Sequence, residues 1–280
     1  MRVAWIQDNS RPHGGAETSN RCVVAAGENL GFDIVGVTPQ NFHQRVLDEC
    51  DVVIVNNFFQ FARPQEQVIL DVLWRKKRPY VKYEHDSREI GRPDLAKRLF
   101  GESALNVFLS PAHLENHKAR LGVDGIALPL AIQTEMFRPM PGVQRDARKA
   151  LVVGGWVRGG KISRSIIRYI EDHPELSFLS VGFELPRAFS IPHRPLKDMP
   201  GLYSSVGWLV HLPDMVCAGE RVIFEAALCG VKNIVMNDNV GHKSWDRDLS
   251  DTDGLREWLR KAPFDFWKAV ENAVRGRIAC

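Results

Sequence analysis

The sequence predicts an α/β fold built on parallel sheets, because of how apolar segments are arranged along the chain. Short apolar runs alternate with segments of helical spacing from end to end. The runs are apolar on both faces, which is typical of parallel strands covered by helices on either side. With 280 residues, the chain is long enough for two medium domains that each have a core.

The first half of the chain, residues 1–141, shows the plainest alternation. The apolar runs that predict strands lie at residues 2–7, 33–38, 51–56, 80–83, 105–109 and 126–130. Helical spacing covers residues 16–30, where Gly31 follows as a stop signal, and residues 64–75. In such a sheet ligands bind beyond the carboxyl ends of the strands, so the loops that follow strands matter most for function.

The second half, residues 142–280, continues the pattern. Its predicted strands lie at residues 150–154, 178–181, 206–212 and 234–236, and its predicted helices at residues 162–171, 255–260 and 265–274. A short helix that starts near Arg221 and stops at Gly230 leads into the last of these strands. This half is therefore predicted to form a second Rossmann-like domain.

The composition excludes several classes of protein. Hydrophobic residues make up 44% and charged residues 25% of the chain, which is usual for a globular protein. The net charge of +3 is too small to indicate binding to nucleic acid or to a membrane surface. The five cysteines are scattered and no apolar run reaches about 18 residues, so we expect a cytoplasmic protein with reduced thiols and no membrane span.

A glycine pair follows the first predicted strand. Gly14 and Gly15 open the helix that also contains Glu17, and without a Cβ atom the backbone there can approach a diphosphate or a sugar closely. The G-x-G-x-x-G fingerprint of dinucleotide binding is absent. A donor-binding loop and a plain tight turn are therefore both open at this position.

A second glycine-rich loop, residues 155–161, follows the first strand of the second half. It matches a P-loop as far as Lys161, but Ile162 stands where Ser or Thr must hold a magnesium ion. Eight basic residues stand against one acid between residues 138 and 168, a balance that favours an anionic ligand. A P-loop NTPase with magnesium-dependent phosphate release stays an alternative.

The stretch at residues 219–230 is the strongest candidate for a ligand site. The residues that would start its helix are Gly219, Glu220, Arg221 and Val222. Free backbone N–H groups and the positive end of the helix dipole suit a phosphate there. Glu225, about one turn further on, would accept hydrogen bonds from ribose hydroxyls. An ordinary amphipathic helix with one solvated glutamate is the other interpretation.

Taken in order, these motifs resemble those of the retaining GT-B glycosyltransferases, and the resemblance covers nearly the whole chain. Gly-Gly-Ala-Glu follows the first strand, the pair His85 and Asp86 follows the fourth, and residues 128–139 match the segment that closes the first domain of that family. Glu225 begins an alanine-rich segment that ends in Cys-Gly. The family pairs this glutamate with another one eight positions earlier, where Cys217 stands in this chain.

The resemblance implies a GT-B fold, in which two Rossmann-like domains face each other across a cleft. Residues 1–141 would form the acceptor-side domain and residues 142–280 the nucleotide-sugar-binding domain, with the last helix packing back on the first domain. The implied reaction is transfer of a sugar from a UDP- or GDP-linked donor, with retention of configuration. Neither a metal ion nor another cofactor is implied.

The resemblance also implies roles for single residues. His85 would reach the transferred sugar, and Glu225 would hold the ribose. Lys161 with Arg158 would neutralise the diphosphate in place of a metal ion. The acceptor is not identified, and a glycan, a lipid-linked glycan, a protein and a modified nucleic acid are all compatible. Because Cys217 replaces a glutamate, a protein of this fold that binds nucleotide sugars without transferring them is the alternative.

Two aspartate pairs have the D-x-D form of metal-dependent glycosyltransferases. They are Asp246 with Asp248 and Asp251 with Asp253. The second pair directly precedes a predicted helix, so we interpret Asp251 as a helix N-cap. No residue is therefore predicted to bind a metal ion.

Overall fold

The computed structural model describes residues 1–8, 14–57, 59–86, 92–153 and 164–278 of the chain. The chain forms two compact units. The first consists of Met1–Ala131 and Lys261–Cys280, and the second of Ile132–Arg260. The boundary between the units follows Ala131, whereas the sequence analysis placed it after residue 141. The end of the chain belongs to the first unit.

The first unit is built on a parallel sheet of six strands. The strands are β1 (Arg2–Ile6), β2 (Asp33–Val37), β3 (Val52–Val55), β4 (Tyr80–Tyr83), β5 (Leu105–Phe108) and β6 (Ile126–Ala127). The helices between them are α1 (Gly15–Asn29), α2 (Gln44–Glu49), α3 (Arg63–Leu70), α4 (Pro93–Gly101) and α5 (Pro111–Leu121). Every strand predicted in this half is present, and the predicted parallel arrangement is confirmed.

The strand order of the first unit is β2-β1-β3-β4-β5-β6. β1, β3 and β4 occupy the middle of the sheet, and every residue of β3 is fully buried. Parallel strands end at the same edge, so the end of β1 and His85, which directly follows β4, lie at one edge of the sheet.

The second unit has a parallel sheet of five strands in the order β11-β10-β7-β8-β9. The strands are β7 (Asp146–Val153), β8 (Ser177–Val181), β9 (Ala188–Ile191), β10 (Val206–His211) and β11 (Asn233–Met236). The helices between them are α6 (Arg164–Asp172), α7 (Met199–Ser205) and α8 (Arg221–Leu228). The sequence did not predict β9 or α7, because β9 is an edge strand whose Phe189 is largely exposed and both elements are short.

Gly230 ends α8 as the sequence predicts. It adopts a φ of +80°, a left-handed conformation that favours glycine. Its N–H donates to the oxygen of Ala227 at 2.8 Å, and the N–H of Val231 donates to the oxygen of Ala226 at 3.0 Å. These two bonds form a Schellman motif, which satisfies the last carbonyl groups of the helix and turns the chain into β11.

The last helix, α9 (Thr252–Ile278), is continuous where the sequence predicts two helices. Pro263 lies inside it and removes one backbone donor, which is why the pattern indicated a break. The helix continues because its apolar side chains are buried on both sides of the proline, such as Ala262 before it and Phe266 after it.

One aspartate of each D-x-D pair, Asp248 and Asp251, accepts hydrogen bonds from nearby residues around the start of α9. The carboxylate of Asp251 accepts a hydrogen bond from the N–H of Gly254 at 3.0 Å, so its predicted role as N-cap is confirmed. The carboxylate of Asp248 accepts bonds from the N–H and the hydroxyl of Ser250, at 2.8 and 2.7 Å.

Trp267 of α9 fills part of the core of the first unit. The side chain is fully buried, and its ring stacks on that of Phe32 with centroids 4.8 Å apart. Its Nε1–H donates to the backbone oxygen of Val23 at 2.7 Å. Gly27 is required at this contact, because a Cβ atom there would lie 2.5 Å from the Trp267 ring. The second half of α9 is thereby locked against α1.

We expect Trp267→Ala to lower the free energy of unfolding by about 3–5 kcal/mol, the usual cost of truncating a large buried aromatic side chain. Urea unfolding followed by circular dichroism measures the change. Phe264→Ala on the same helix is the matched control, because that ring is 43% exposed, and should cost less than about 1 kcal/mol. Equal losses in the two variants would contradict the packing described.

Candidate functional site

The candidate site of the second unit lies where β10 ends and α8 begins. β10 ends at His211, and Glu220 is the N-cap residue of α8, with an extended backbone and no side-chain bond to its own helix. The residues predicted to contact a donor at this helix start are Gly219, Glu220, Arg221 and Val222. The structure places all four within the last loop residues and the first turn of α8, where backbone N–H groups point along the helix axis.

Glu225 is held by two side chains of its own unit. Its Oε1 atom accepts a hydrogen bond from Arg221 Nε at 2.8 Å, and its Oε2 atom accepts one from the Tyr203 hydroxyl at 2.9 Å. All three side chains are buried. Burial and the adjacent Glu225 carboxylate raise the pKa of Tyr203 well above its ordinary value, so its hydroxyl stays a donor. The glutamate that the sequence assigned to ribose therefore also fixes Arg221.

The loop before α8 is pinned to the loop after β11. The N–H of Cys217 donates to the oxygen of Asn239 at 2.8 Å, and the N–H of Gly241 donates to the oxygen of Cys217 at 2.9 Å. The side-chain amides of Asn237 and Asn239 both donate to the oxygen of Pro213, at 2.8 and 2.9 Å. The path of the chain into α8 is thus set by its own hydrogen bonds.

His242 lies beside this pairing, in a loop that the sequence places near the site without assigning this residue a role. It is buried, and its ring stacks on Phe224 of α8 with centroids 4.1 Å apart. Burial lowers the pKa of His242 to about 3, the charge of Glu220 opposes the shift, and that of His211 adds to it. The ring is therefore neutral at pH 7, and neither of its nitrogens has a hydrogen-bond partner within the described part of the chain.

Asp214, in the same loop, caps the start of α6. Its carboxylate accepts hydrogen bonds from the N–H of Arg164 and the hydroxyl of Ser165, both at 2.8 Å. A P-loop presents the start of this helix to a phosphate. Here a carboxylate takes that position, which argues against the P-loop interpretation.

Arg158 and Lys161 lie outside the described residues. Several of the other basic residues that favoured an anionic ligand have structural partners instead. Arg145 donates to the backbone oxygens of Val206 and Cys229, at 2.6 and 2.8 Å, and so caps the carboxyl end of α8. Arg168 is exposed and pairs with Asp172 on the surface of α6. Arg145 and Arg168 are therefore engaged in structural contacts and are not available to bind an anion.

In the first unit, the predicted glycine pair lies at the start of α1. Gly14 is the N-cap residue and Gly15 the first residue of the helix. The carboxylate of Glu17 folds back over them, since a Cβ atom on Gly14 would lie 2.8 Å from its Oε2 atom. Burial raises the pKa of Asp8, at the end of β1, and the negative charge of Glu17 adds to this. Two carboxylates therefore flank the helix start.

A buried polar network lies at the carboxyl ends of β3 and β4, and the sequence did not predict it. Lys82 Nζ and Glu84 Oε2 form an ion pair at 2.8 Å, with both side chains at most 3% exposed. Lys82 also donates to the backbone oxygen of Asn56 at 3.2 Å, and the Asn56 amide donates to Asn20 of α1 at 2.8 Å. The only sign of this network in the sequence is Lys82, a charged residue within the predicted strand at residues 80–83.

Glu84 fixes the backbone that carries His85. Its Oε1 atom accepts hydrogen bonds from the N–H groups of His85 and Asp86, at 3.0 and 2.8 Å. Burial alone would raise the pKa of Glu84, but the Lys82 ammonium and these hydrogen bonds outweigh it and lower the pKa to about 2. The His85 ring packs edge-on against Tyr83, with centroids 4.4 Å apart.

His113 of α5 holds the other side of the same loop. Its Nδ1 atom accepts a bond from the N–H of Leu109 at 3.2 Å, so its proton is on Nε2 and is donated to the oxygen of Asp86 at 3.1 Å. Burial lowers the pKa of His113 to about 4, and the charge of His117 acts in the same direction. The ring is neutral at pH 7, as this hydrogen-bond pattern requires.

Solved structures resemble the whole chain. It is similar to HepE from Anabaena in complex with UDP-glucose, with a TM-score of 0.65 at 14% identity, over 100% of this chain and 98% of that one. It is also similar to sucrose-phosphate synthase from Thermosynechococcus elongatus, with a TM-score of 0.66 at 12% identity, over 99% of this chain and 97% of that one. A glycosyltransferase of avilamycin A biosynthesis matches with a TM-score of 0.64 at 12% identity, over 99% and 98% of the two chains.

These neighbours are GT-B glycosyltransferases. The chain has a GT-B fold. The predicted fold class is confirmed, because each of the two units contains one parallel sheet whose strands alternate with helices. At these identities the likeness shows the fold and not the reaction. No protein-family model matches the chain, and no curated protein matches its sequence.

Among the described helices of the GT-B chain, none combines the length and the apolar character that crossing a membrane requires. This holds also for α9, which spans 27 residues and carries charged side chains along its length.

We expect Glu84→Gln to destabilise the GT-B chain by about 3–5 kcal/mol, because it leaves the Lys82 ammonium buried without its counter-charge. Thermal and urea unfolding measure the loss. Replacing both partners, as Lys82→Met with Glu84→Gln, should recover much of it. Asp238→Asn breaks an exposed ion pair with Lys243 and should change stability by no more than about 1 kcal/mol. Equal effects of the two single variants would refute the assignment of a buried pair.

We also expect mild acid to destabilise the protein through His113. Its folded-state pKa of about 4 lies below the ordinary 6.5, so the unfolded chain takes up this proton first. The stabilisation by this residue is present above pH 6.5 and is lost as the pH falls towards 4, by about 1.5 kcal/mol between pH 6.5 and 5. Urea midpoints at the two pH values measure this loss.

His113→Asn should reduce that pH dependence, and His43→Asn, at an exposed position, should leave it unchanged. An unaltered slope in the His113 variant would show that another group carries the acid sensitivity.

Proposed function

We propose that the chain is a glycosyltransferase that moves a sugar from a nucleoside diphosphate sugar, linked to UDP or GDP, to an acceptor. The observation that carries the proposal is the fold likeness to structures that hold UDP or UDP-glucose, over 95–98% of those chains. The start of α8 supports the same class of donor, since a helix N-terminus beside the end of a central parallel strand suits a phosphate.

In the proposed mechanism, side-chain cations and backbone amides stabilise the leaving diphosphate, and no metal ion serves as its counter-charge. Lys161 with Arg158 would supply the positive charge, and the first N–H groups of α8 would donate to the phosphate oxygens. Negative charge develops on the diphosphate as the glycosidic bond breaks, so these contacts strengthen in the transition state. Retention of configuration belongs to the same proposal.

We assign the transferred sugar to His85 and the approach of the donor to the glycine pair. Glu84 and His113 support the role of His85, because they hold the backbone around it from two sides. A loop fixed in this way loses little conformational freedom when a ligand binds. Gly14 and Gly15 would allow the backbone to approach the donor without a Cβ atom between them.

We assign the ribose to Glu225. Within the described residues, each of its carboxylate oxygens accepts one hydrogen bond and retains a second lone pair for a hydroxyl donor. The bonds from Arg221 and Tyr203 would hold the carboxylate in one orientation while the ribose hydroxyls bind. Arg221 would then also add positive charge beside the phosphate.

A second candidate is a protein that binds nucleotide sugars without transferring them. The observation that favours it is Cys217, which is buried at the position where the family resemblance expects a glutamate. A thiol does not offer the two acceptor oxygens that a carboxylate presents to a sugar. Binding of a donor without its hydrolysis or transfer would support this candidate over the enzyme.

The compartment and the acceptor complete the proposal. Among the described cysteines, Cys50 and Cys229 are free thiols, which supports the reducing cytoplasm as the compartment. The acceptor is open among a glycan, a lipid-linked glycan, a protein and a modified nucleic acid.

A panel of nucleotide sugars tested by thermal shift, followed by mass spectrometry of the products with candidate acceptors, tests the donor class first and the reaction second. No shift with any donor would refute the proposal.

We expect Lys161→Ala to lower kcat/KM by about 10- to 150-fold, because the loss of one charge-assisted contact in the transition state costs about 1.5–3 kcal/mol. Steady-state kinetics with the donor identified in the panel measure it. Arg168→Ala is the matched control, since this exposed arginine lies on the helix that follows the same loop, and it should leave turnover unchanged. A folded Lys161→Ala protein with full activity would remove this residue from the mechanism.

A further inference from the structure

Three side chains of different chemistry meet in the second unit at the start of α8. A ring nitrogen of His211, the Sγ atom of Cys217 and a carboxylate oxygen of Glu220 all lie within 4.8 Å of one another. His211 and Cys217 are buried and Glu220 is half-buried. The cluster is therefore largely shielded from solvent but remains accessible to a small ion from the Glu220 side.

Each of the three residues occupies a position that the fold fixes. His211 is the last residue of β10, and Glu220 is the N-cap residue of α8. Cys217 is held between them by the backbone bonds to Asn239 and Gly241, both shorter than 3.0 Å. The positions of the three ligand atoms thus follow from a strand end, a helix start and a pinned loop.

The separations suit a small metal ion. Zinc binds sulfur at about 2.3 Å and nitrogen or oxygen at about 2.0–2.2 Å, which places the ligands of a tetrahedral site roughly 3.3–3.7 Å apart. The three atoms here lie within 4.8 Å of one another. Rotation of the side chains that moves these atoms by about 1 Å would bring them to the separations of a tetrahedral site.

The donor set selects the kind of ion. A thiolate and an imidazole are ligands for zinc and for transition metals of similar softness, whereas magnesium and calcium prefer oxygen ligands alone. One carboxylate oxygen completes three ligands from the chain, which leaves a fourth position open.

We propose that His211, Cys217 and Glu220 bind one zinc ion, with water as the fourth ligand. On binding, the Cys217 thiol releases its proton to solvent, and the sulfur, nitrogen and oxygen atoms each donate a lone pair to the ion. No electron is transferred in this step.

His242 is a second and independent observation beside the cluster. Its side chain is buried, and neither ring nitrogen has a hydrogen-bond partner within the described part of the chain. A buried polar group without such a partner is uncommon and calls for an explanation such as an ion or a water molecule. Metal-bound water next to the cluster would provide one.

The zinc ion would add to the hydrogen bonds that already fix the loop leading into α8, and this inference goes beyond the proposed transfer reaction. In that reaction the diphosphate counter-charge is assigned to Lys161. Cys217 would serve the metal and not the sugar, which gives a physical reason for a cysteine at this position. The two proposals can fail separately, because one is measured by metal content and the other by donor binding.

The first test is native mass spectrometry of the full chain, expressed without an affinity tag and purified without chelators. We expect the mass of one zinc ion per folded chain, confirmed by elemental analysis. Protein freed of metal with a chelator should take up one equivalent of added Zn²⁺. Absence of bound zinc together with no uptake of added zinc would overturn the proposal.

The second test identifies the ligands by replacing zinc with Co²⁺ in the full chain. Bound Co²⁺ should show a thiolate-to-metal charge-transfer absorption in the near ultraviolet. Cys217→Ser should abolish this absorption and weaken binding by roughly 100-fold or more, beyond the 10- to 100-fold loss typical of outer-shell partners. Glu220→Gln should weaken binding but keep the absorption, so it remains informative if the cysteine variant does not fold.

Cys22→Ser is the matched control, because this half-buried cysteine lies on α1 in the other unit. It should retain both the metal and the absorption. Loss of the absorption in the Cys22 variant, or its retention in a folded Cys217 variant, would refute the assignment. Cobalt binding without any thiolate absorption would do the same.

Discussion

A charged side chain buried inside a protein needs a partner of opposite charge, and each unit has such a buried ion pair beside its candidate site. Lys82 and Glu84 pair at the carboxyl end of β4, and Arg221 at the start of α8 pairs with Glu225 one turn further along the helix. Either charge left alone would carry a desolvation penalty of several kcal/mol. Each pair therefore fixes the backbone at the edge of a parallel sheet where ligands bind. The two units share a fold type and also this means of holding their loops.

The paired carboxylates do more than neutralise their partners. Glu84 accepts two backbone N–H groups in addition to Lys82, and so determines the path of the loop that carries His85. Glu225 orients Arg221 at the start of α8, where the helix dipole is already positive. A guanidinium and a dipole end of the same sign would repel each other, and the buried carboxylate offsets this repulsion. The helix start can then present positive potential to an anion without destabilising the fold.

The sequence predicted the fold well because its signals are local. Apolar runs mark the central strands, and Gly31 and Gly230 mark helix ends through a backbone conformation that depends on few neighbours. The edge strand β9 and the continuity of α9 across Pro263 were missed because both depend on tertiary packing. For the same reason the sequence did not reveal that Tyr203 contacts Glu225, because Tyr203 lies on α7, a helix that it did not predict.

Cys217 shows how a site residue can only be understood with its neighbours. The family resemblance alone indicates that Cys217 stands in place of a glutamate, so that a carboxylate acceptor for the sugar is missing. The structure adds His211 from the end of β10 and Glu220 from the helix cap, and the three residues together form a ligand set that none of them indicates alone. Because the loop between them is pinned by backbone bonds to the next loop, the arrangement does not depend on a ligand to bring it together. A thiol held this way, beside an imidazole and a carboxylate, has the chemistry of a metal ligand more than that of a residue that has lost its role.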